Sequence, residues 1–576
     1  MSFWYNYIYK IIVIANLKIK IFFLISLSIV SSLLDIFSIS LLIPITNLIL
    51  NQNFTLFNNI EFFQSFKKYF TTEILLISFS FIFFFKTIIT IFIYRYVTKI
   101  KLNLQAELRI KLLKKYQNLD HQKFLKRQSS DYVQNITAVV TVYSNVLVSF
   151  LRIISETLII FSILIYFLVL DSQTLLTLIP IFLMFLIFYQ IFFKSKVFNI
   201  GKKVNEDSKK IIQVVKDSIF GMKEIKISNK ENFFNKILDK KAKNIANNSL
   251  KYEVILFSPR YIIETLFIFI IIIFFFSSDL SIENNLINSA ALIAAYSYAA
   301  LRLIPSFALV SRLLTMMNNG IAYTEILYND LKDNYYTKQN KKNIIKETLQ
   351  FNKLEIKNVS FDYNDGRNLF EDLNLIINKG DSILITGPSG SGKTTLIDIL
   401  LGLMNPKKGK IILNENPNLE FYINRLSYYV SQQKFLINET IFNNIVMKDD
   451  VSLYENLSIE EKDLFNKSIK FSGVEEIINS KKEGIYYYVG EEGSLLSGGQ
   501  RQRVSIARAI FSNRDLIILD ESTSALNKEL EEEVSKNLTN LANIGKTIIC
   551  ISHNTYLVPY FKYHYDIKDR KITQLK

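Results

Sequence analysis

Six long apolar runs within the first 308 residues constrain the fold of this chain more than any other feature. A helix that crosses a lipid bilayer needs about 20 mainly apolar residues, and each run is of that length. No signal-peptide cleavage pattern precedes the first run, so we interpret it as a retained helix. The pattern predicts a multidomain membrane protein with an all-α N-terminal domain of six transmembrane helices. The predicted spans are 21–47, 74–94, 148–170, 174–193, 261–279 and 286–308.

The distribution of Lys and Arg indicates the orientation of these spans. The loops 95–139 and 194–253 are strongly basic, whereas the breaks 171–174 and 280–285 contain no Lys or Arg. Basic loops of membrane proteins face the cytoplasm, so both termini are predicted to be cytoplasmic. The net charge of +16 mainly reports this orientation. Without a basic patch that carries aromatic platforms, the sequence predicts no nucleic-acid partner.

Composition divides the chain into a membrane domain (1–328), a polar linker (329–350) and a second domain (351–576). The two basic loops are rich in helix formers, which predicts membrane helices prolonged into the cytoplasm and joined at tips near 118–130 and 218–228. The single cysteine, Cys550, excludes an internal disulfide framework and a CxxC metal or redox pair.

A glycine-rich turn between an apolar strand and a helix lies early in the second domain. In SILITGPSGSGKTTLIDIL (382–400), the part from Gly387 to Thr394 fits the pattern GxxxxGK[ST]. Backbone N–H groups of such a loop close around phosphate oxygens, and the helix N-terminus adds its positive dipole end. Lys393 is expected to reach the β- and γ-phosphates of ATP, and the Thr394 hydroxyl to hold Mg²⁺. The predicted ATP-binding residues here are Gly387, Pro388, Ser389, Gly390, Ser391, Gly392, Lys393, Thr394 and Thr395.

A second half of an ATPase site is predicted in DLIILDES (515–522). Four apolar residues form a buried strand, and Asp520 stands at its carboxyl end, where ligands of α/β sheets bind. Asp520 is expected to complete the Mg²⁺ shell, and Glu521 to polarise the attacking water. An apolar run followed by two acidic residues is a common pattern and is not specific by itself. Its position about 125 residues after the phosphate loop favours a role in the ATPase site.

The stretch GEEGSLLSGGQRQRVSIARAI (490–510) carries the most specific motif. Its LSGGQ resembles the signature sequence of ABC ATPases, here Leu496, Ser497, Gly498, Gly499 and Gln500. Physically it is a second phosphate cradle that opens a helix. The resemblance implies that this cradle faces the nucleotide of another subunit, so that two ATP molecules are sandwiched between two nucleotide-binding domains.

The resemblance assigns roles to three further positions. Tyr363 in VSFDYND stands where an aromatic residue stacks on adenine, and Gln432 in LSYYVSQQKFL matches the glutamine that links Mg²⁺ and the attacking water to the membrane domain. His553 in IICISHN matches the histidine that contacts the γ-phosphate. The chain departs from the family at Asn527, where an Asp usually follows Ser-Ala-Leu. We expect hydrolysis to persist, with altered coupling between the two sites.

Six membrane helices followed by one α/β P-loop ATPase domain resemble an ABC exporter half-transporter over essentially the whole chain. This resemblance implies ATP and Mg²⁺ as cofactors, a homodimer as the working unit and a place in the bacterial inner membrane. Importers of the family usually have separate membrane and ATPase chains, and a soluble ABC ATPase would lack the spans. An ATP-gated channel is not excluded by the sequence, but Glu521 favours turnover.

The cargo has to be inferred from charges within the membrane domain. Lys86, Arg260 and Arg302, doubled in a dimer, are expected to line a cavity that suits an anionic lipid headgroup. A structural ion pair between Lys86 and Asp35 is the competing interpretation, and Arg260 has Glu264 four residues further on. The stretches SPRYIIETLF, AALRLIPSF and SIFGMKEIKI are similar to segments of bacterial lipid-linked oligosaccharide flippases. The resemblance implies a polyprenyl-pyrophosphate-linked glycan as cargo, with lipid A, another lipid, a peptide or a drug as alternatives.

Overall fold

The chain divides into two compact units, an N-terminal helical unit and a C-terminal α/β unit. The computed structural model describes residues 2–15, 18–49, 72–119, 121–170, 172–277, 286–332, 350–362, 368–416, 422–522 and 526–576. Each unit has its own hydrophobic core within these residues.

The N-terminal unit consists of long helices joined by short ones. Its helices are α1 (Ser2–Ala15), α2 (Lys18–Ile49), α3 (Thr72–Gln117), α4 (His121–Phe124), α5 (Ser129–Gln134), α6 (Val140–Leu170), α7 (Ser172–Phe220), α8 (Met222–Ile227), α9 (Glu231–Ser277), α10 (Leu286–Asn319) and α11 (Ile321–Lys332). A π-helical segment of five residues, Asn135–Val139, joins α5 to α6. The short helices α4 and α8 lie within the two predicted tips.

Four helices among the described residues are long and apolar enough to cross a membrane. Their apolar stretches are Ile19–Leu42, Glu73–Gln117, Ser129–Leu168 and Ala300–Asn319. The predicted spans 174–193 and 261–279 fall in α7 and α9, some of whose side chains lie outside the described part of the chain. The count of six therefore stays a prediction.

Polar side chains join the helices of this unit where the surroundings are apolar. Ser28 on α2 hydrogen-bonds to Ser155 on α6. Tyr7 on α1 donates its hydroxyl to the carbonyl oxygen of Met317 at 2.8 Å, and Tyr143 on α6 donates to that of Ile11 at 2.9 Å. Such bonds satisfy groups that would otherwise be costly to bury, and they hold neighbouring helices in register.

One helix crosses the predicted end of the membrane domain at residue 328. Helix α11 continues to Lys332 and so enters the stretch predicted as linker from residue 329. Its last turn is held by Asp330, which is buried against other helices of the same unit. The polar residue Asp330 in this turn therefore serves buried hydrogen bonding, and the linker over 329–350 stays a prediction.

The C-terminal unit contains two sheets. The first has the order β2-β1-β4 and is antiparallel, and the second has the order β5-β6-β7-β3-β8-β9 and is parallel except for the pairing of β8 with β9. The strands are β1 (Lys353–Asp362), β2 (Asn368–Asn378), β3 (Ser382–Thr386), β4 (Lys408–Leu413), β5 (Ser427–Val430), β6 (Leu516–Asp520), β7 (Thr547–Ile551), β8 (Tyr563–Lys568) and β9 (Lys571–Gln574). Strands β3, β6 and β7 are buried along their whole length, as expected for the centre of a parallel sheet.

The helices of this unit surround the second sheet and form a helical part with its own core. They are α12 (Lys393–Leu400), α13 (Ile423–Leu426), α14 (Ile441–Val446), α15 (Ile459–Ser472), α16 (Val474–Asn479), α17 (Gly498–Phe511) and α18 (Lys528–Asn543). Strands β5, β6, β7 and β3 are neighbours and parallel, so their carboxyl ends meet at one edge of the sheet. The four predicted ATPase motifs follow these four ends, and they are therefore brought together.

Candidate ATP site

The phosphate loop connects β3 to α12 through backbone conformations that require glycine. Gly387 has a φ of +149°, and a Cβ there would lie 2.6 Å from the carbonyl oxygen of Ile567. Gly392, the N-cap of α12, has a φ of +96°, and a Cβ there would lie 2.8 Å from Cζ of Phe370. Side chains at either position would displace the loop, so the curved backbone depends on both glycines.

Two polar side chains of the loop are buried inside this curve. Lys393 Nζ donates to the carbonyl oxygens of Gly387 at 2.9 Å and Pro388 at 3.0 Å, and burial lowers the pKa of Lys393. Among the described residues, the buried Ser391 Oγ has no hydrogen-bond partner. A buried cation and an orphaned hydroxyl beside a helix N-terminus fit the oxygens of a phosphate chain.

Asp520 ends β6 next to this loop and is buried. Tyr429 on β5 donates its hydroxyl to Asp520 Oδ2 at 2.9 Å, and the Thr394 hydroxyl also hydrogen-bonds to the carboxylate. Burial raises the pKa of Asp520, while the hydrogen bonds from Tyr429 and Thr394 lower it. A hydroxyl and a carboxylate in contact are oxygen ligands of the kind that Mg²⁺ prefers, and phosphates would supply the rest of its shell.

Glu521 is held between the two side chains that sequence reasoning placed beside it. Its Oε1 lies 2.7 Å from His553 Nε2, and its Oε2 accepts a hydrogen bond from Gln432 Nε2 at 2.6 Å. The residue has a φ of +45°, a left-handed conformation that is unusual for glutamate. Its N–H donates to the carbonyl oxygen of Ile551 at 3.1 Å, which ties the turn to β7. Strained residues of this kind concentrate at functional sites.

Lys434 adds a second, half-buried cation near these carboxylates. Its Nζ donates to the carbonyl oxygen of Ser431 at 2.9 Å. Burial lowers the pKa of Lys434 to about 8, while Asp520 and Glu521 act in the opposite direction. The residue follows Gln432 by two positions, but an isolated lysine in that stretch carries no signal that sequence reasoning could have used.

The signature motif forms the start of α17. Ser497 is the N-cap, and a capping box joins it to Gln500: the N–H of Gln500 donates to Ser497 Oγ at 3.3 Å, and the N–H of Ser497 donates to Gln500 Oε1 at 2.9 Å. Leu496 is buried in the core of the helical part. The Leu496 side chain thus packs the core and that of Gln500 caps the helix, and the contact of both residues with nucleotide stays a prediction. Ser497 and Gly498 are exposed, and Gly499 is half-buried.

The departure at Asn527 has a structural counterpart. Asn527 is the N-cap of α18, and its Oδ1 accepts a hydrogen bond from the N–H of Leu530 at 3.1 Å. Asn and Asp are equally good caps, so the exchange keeps the local geometry. Further along α18, the buried Glu531 accepts hydrogen bonds from Tyr556 and, at 2.8 Å, from Asn554 Nδ2. This carboxylate links α18 to the residue after His553.

The membrane unit pairs the basic side chains that the sequence offered as a substrate site. Lys86 Nζ lies 2.5 Å from Asp35 Oδ1, and Arg302 Nε lies 3.4 Å from the same oxygen. Asp35 is fully buried, whereas 12% of Lys86 and 28% of Arg302 are exposed. Arg260 Nε pairs with Glu264 Oε1 at 2.9 Å on its own helix. Arg302 thus finds a carboxylate on α2, which the spacing along its own helix could not reveal, and a substrate role of the three cations stays a prediction.

Two family models match most of the chain. One, described as ABC transporter, matches residues 370–524, and the other, described as ABC transporter transmembrane region, matches residues 21–305. The chain belongs to the ABC transporters. Both halves of the predicted architecture, a helical transmembrane domain of exporter type and a P-loop ATPase domain, are confirmed.

The transporter is similar to curated bacterial proteins. It is 29% identical over 367 residues to the ATP-dependent lipid A-core flippase of Legionella pneumophila strain Lens, which covers 62% of this chain and 59% of that protein. It is 38% identical over 205 residues to the alpha-hemolysin translocation ATP-binding protein HlyB of Escherichia coli O157:H7, over 35% of this chain and 28% of that protein. The alignment with the first of these relatives thus spans less than two thirds of that relative's length.

A solved structure agrees with the fold of the whole chain. The bacterial Atm1-family ABC exporter with ATP bound superimposes with a TM-score of 0.78 at 16% identity, over 97% of this chain and 94% of that one. At this identity the likeness establishes the fold of the transporter and leaves its cargo open.

The structure brings most predicted ATP-site residues of the transporter to one sheet edge, where Lys393, Thr394, Asp520 and Glu521 lie together with Gln432 and His553. Tyr363, predicted to stack on adenine, lies outside the described residues. Sequence reasoning missed Tyr429, Lys434 and Glu531. Only Tyr429 carried a usable signal: it lies near the end of the strand that pairs with β6, within reach of Asp520.

Proposed function

We propose that the transporter is one half of an ATP-driven exporter in the bacterial inner membrane, with both termini in the cytoplasm. The observation that carries the proposal is the position of Glu521. It lies at the edge of the parallel sheet beside the phosphate loop, with His553 at 2.7 Å and Gln432 at 2.6 Å on its two oxygens. Hydrogen bonds to both oxygens fix the orientation of this carboxylate. A fixed carboxylate can act as a general base toward a water molecule, which is the nucleophile in ATP hydrolysis.

In this proposal the residues of the site divide the work. The phosphate loop from Gly387 to Thr395 binds the phosphates of ATP, with Lys393 as the cation on the β- and γ-oxygens. Mg²⁺ would be held by Thr394, Gln432 and Asp520 and would screen phosphate charge. Glu521 orients and polarises the attacking water, and His553 holds the carboxylate and reaches toward the γ-phosphate.

A second copy of the chain completes the site. Ser497, Gly498 and Gly499 open α17 with an exposed cradle, while the phosphate loop lies at another part of the same unit. One chain therefore supplies one phosphate loop and one signature cradle, and a homodimer would pair them twice. Because Asn527 keeps the helix cap but lacks the charge of Asp, we expect hydrolysis to persist with altered coupling between the two sites.

The proposed cargo is a polyprenyl-pyrophosphate-linked oligosaccharide, moved from the inner to the outer leaflet. Lys86, Arg302 and Asp35 together carry one net positive charge, and both cations are partly exposed while the carboxylate is buried. An anionic headgroup would compete with Asp35 for the two cations, and its apolar chains would remain in lipid. Charged groups at this depth are costly, which favours a role in the transport path. Arg260 contributes less in this proposal because Glu264 already neutralises it.

A second candidate cargo is lipid A or a related phosphorylated glycolipid. The curated relatives that favour it are named lipid A-core flippases. Both cargoes join phosphate, sugar and long apolar chains, so the same basic cluster would recognise either. They differ in the number and kind of chains, which only a transport measurement separates.

The test is ATP-dependent flipping in proteoliposomes that contain the full-length protein. Either a polyprenyl-pyrophosphate oligosaccharide or lipid A is offered as fluorescent lipid, and ATP hydrolysis is measured in the same vesicles. The variants are Lys86→Ala, Arg302→Ala and Arg260→Ala, with Glu521→Gln as the hydrolysis-deficient control. Lys196→Ala serves as a matched control, because Lys196 is an exposed lysine of α7.

We expect flipping of the polyprenyl lipid by the wild type, loss in Lys86→Ala and Arg302→Ala with hydrolysis retained, and a smaller loss in Arg260→Ala. Flipping of lipid A alone would move the assignment to the second cargo. Hydrolysis without flipping of either lipid would contradict the anionic-lipid proposal and leave Lys86 as the structural partner of Asp35.

A further inference from the structure

A buried carboxylate near the end of α11 gathers donors from three other parts of the membrane unit. Asp330 is 6% exposed. Its Oδ2 accepts hydrogen bonds from the Tyr116 hydroxyl at 2.6 Å and from Asn135 Nδ2 at 2.9 Å. Its Oδ1 accepts a hydrogen bond from a guanidinium nitrogen of Arg127 at 2.8 Å. We call these four residues the Asp330 cluster.

The donors converge from separate elements. Tyr116 is in the last turn of α3, Arg127 lies within the predicted tip 118–130, and Asn135 begins the π-helical segment before α6. Asp330 itself precedes the end of α11 by two residues. One carboxylate therefore ties both sides of the tip, and the tip itself, to the last described helix of the membrane unit.

Aromatic contacts make the tip rigid next to this cluster. The Tyr132 ring stacks on that of Phe124 with centroids 5.0 Å apart and 9° between the planes, and the Tyr132 hydroxyl donates to the carbonyl oxygen of Phe124 at 3.1 Å. The rings of Tyr132 and Tyr116 also pack edge to face, with their centroids 4.8 Å apart. Helix α4 is thus fixed to α5 and α3, so a displacement of the tip would be passed on to the cluster.

At the start of the π-helical segment, two neighbouring side chains bond to two different helices. Gln134, the last residue of α5, donates from Nε2 to Asn205 Oδ1 on α7 at 2.7 Å. The next residue, Asn135, donates to Asp330 on α11. Single-turn π segments within α-helices recur at functional sites because they redirect side chains in this way. Here the end of α5 and the start of the π-helical segment together connect α7 to α11.

We infer that Asp330 is a positioning residue that clamps the first tip to the end of α11, so that the two move as one body during ATP turnover. The inference rests on the proposed ATP-driven transport but not on the identity of the cargo. A buried carboxylate that binds a cation and two neutral donors is costly to replace, since each donor would be left unpaired or would return to water. Loss of the carboxylate frees the tip from α11 without touching the ATP site.

The experiment compares Asp330→Asn with wild type in the full-length protein in lipid nanodiscs. Hydrogen exchange is followed on peptides that cover 118–139 and 321–332, and kcat and KM for ATP are measured on the same samples. The matched control is Glu325→Gln on the same helix, since Glu325 is more than half exposed and bonds only to Lys10 among the described contacts of its side chain. Arg127→Gln is the milder second variant because 44% of the Arg127 side chain is exposed.

We expect exchange in 118–139 to rise about tenfold in Asp330→Asn, less in Arg127→Gln and not in Glu325→Gln. In the same variants kcat should fall several-fold while KM for ATP stays unchanged, because the ATP site is intact. Faster hydrogen exchange in 118–139 with an unchanged kcat would overturn the inference. A lower kcat with unchanged exchange in 118–139 would also overturn it. If Asp330→Asn does not fold, Arg127→Gln decides between these outcomes by the same two readouts. If the wild type hydrolyses no ATP, the proposed function fails, and the exchange data still decide whether the clamp exists.

Discussion

Tyr429→Phe removes one hydrogen bond from Asp520 and leaves the ring in place. The lost bond joins the Tyr429 hydroxyl to Asp520 Oδ2 at 2.9 Å, and it lowers the pKa of a carboxyl group that burial raises. A hydrogen bond to a charged group contributes about 1.5–3 kcal/mol. Loss of this bond should destabilise the ionised carboxylate, so the pKa of Asp520 should rise further in the variant.

The consequence has a definite sign. Ionised Asp520 is the form that would hold Mg²⁺, so the ATPase rate should fall as pH decreases through its pKa. With the pKa raised, this loss should begin at a higher pH than in the wild type, and the rate at alkaline pH should change little.

The assay is the ATPase rate of the full-length protein from acid to alkaline pH at a fixed excess of Mg²⁺. Tyr488→Phe is the matched control, because the Tyr488 hydroxyl donates to the carbonyl oxygen of Asn438 at 3.0 Å and is not part of the ATP site. An acid limb that stays in place, or one that moves to lower pH, would refute the assigned link between Tyr429 and the ionised Asp520.

Substitutions at two positions, the N-cap Asn527 and Glu531, test what α18 contributes to stability and to the ATP site. Asn527→Ala should lower the free energy of unfolding by about 1 kcal/mol through loss of the helix cap, whereas Asn527→Asp should keep the cap and gain about 0.3–1 kcal/mol from its charge at the helix N-terminus; thermal unfolding of both variants checks the order. Glu531→Gln should weaken the bonds from Asn554 and Tyr556 by about 1.5–3 kcal/mol in total. Because Asn554 follows His553, we expect a lower kcat with an unchanged KM for ATP, and equal kcat values would contradict the role given to Glu531.

The ATPase domain could be predicted from the sequence in detail because its predicted functional residues lie in short, contiguous motifs. Each motif follows a strand of the same parallel sheet, and parallel strands bring their carboxyl ends to one edge. Glu521, His553 and Gln432 could therefore be placed together although they are far apart along the chain. Tyr429 and Glu531 act through pairings between elements, which no motif records.

Charges in the membrane unit were predicted less well for a related reason. Spacing along one helix identified the pair of Arg260 with Glu264, because residues four apart are neighbours on a helix surface. Spacing could not reveal that Arg302 on α10 reaches Asp35 on α2. This contact depends on how the two helices pack against each other, and the sequence of one helix does not specify that packing. Nor could composition reveal that Asp330 is buried, since its partners lie on other elements.

Among the described residues of the membrane unit, the buried carboxylates Asp35 and Asp330 bond to different parts of helix α3. Asp35 pairs with Lys86 on α3 and Arg302 on α10, whereas Asp330 bonds to the tip and to the residues on either side of it. Both link α3 to the α10–α11 part of the chain, since Lys86 and Tyr116 lie on α3. A ligand that displaces Asp35 would loosen this link at one end while the Asp330 cluster holds it at the other. The kcat of Asp330→Asn, measured with its hydrogen exchange, tests whether the link at the Asp330 cluster is needed for turnover.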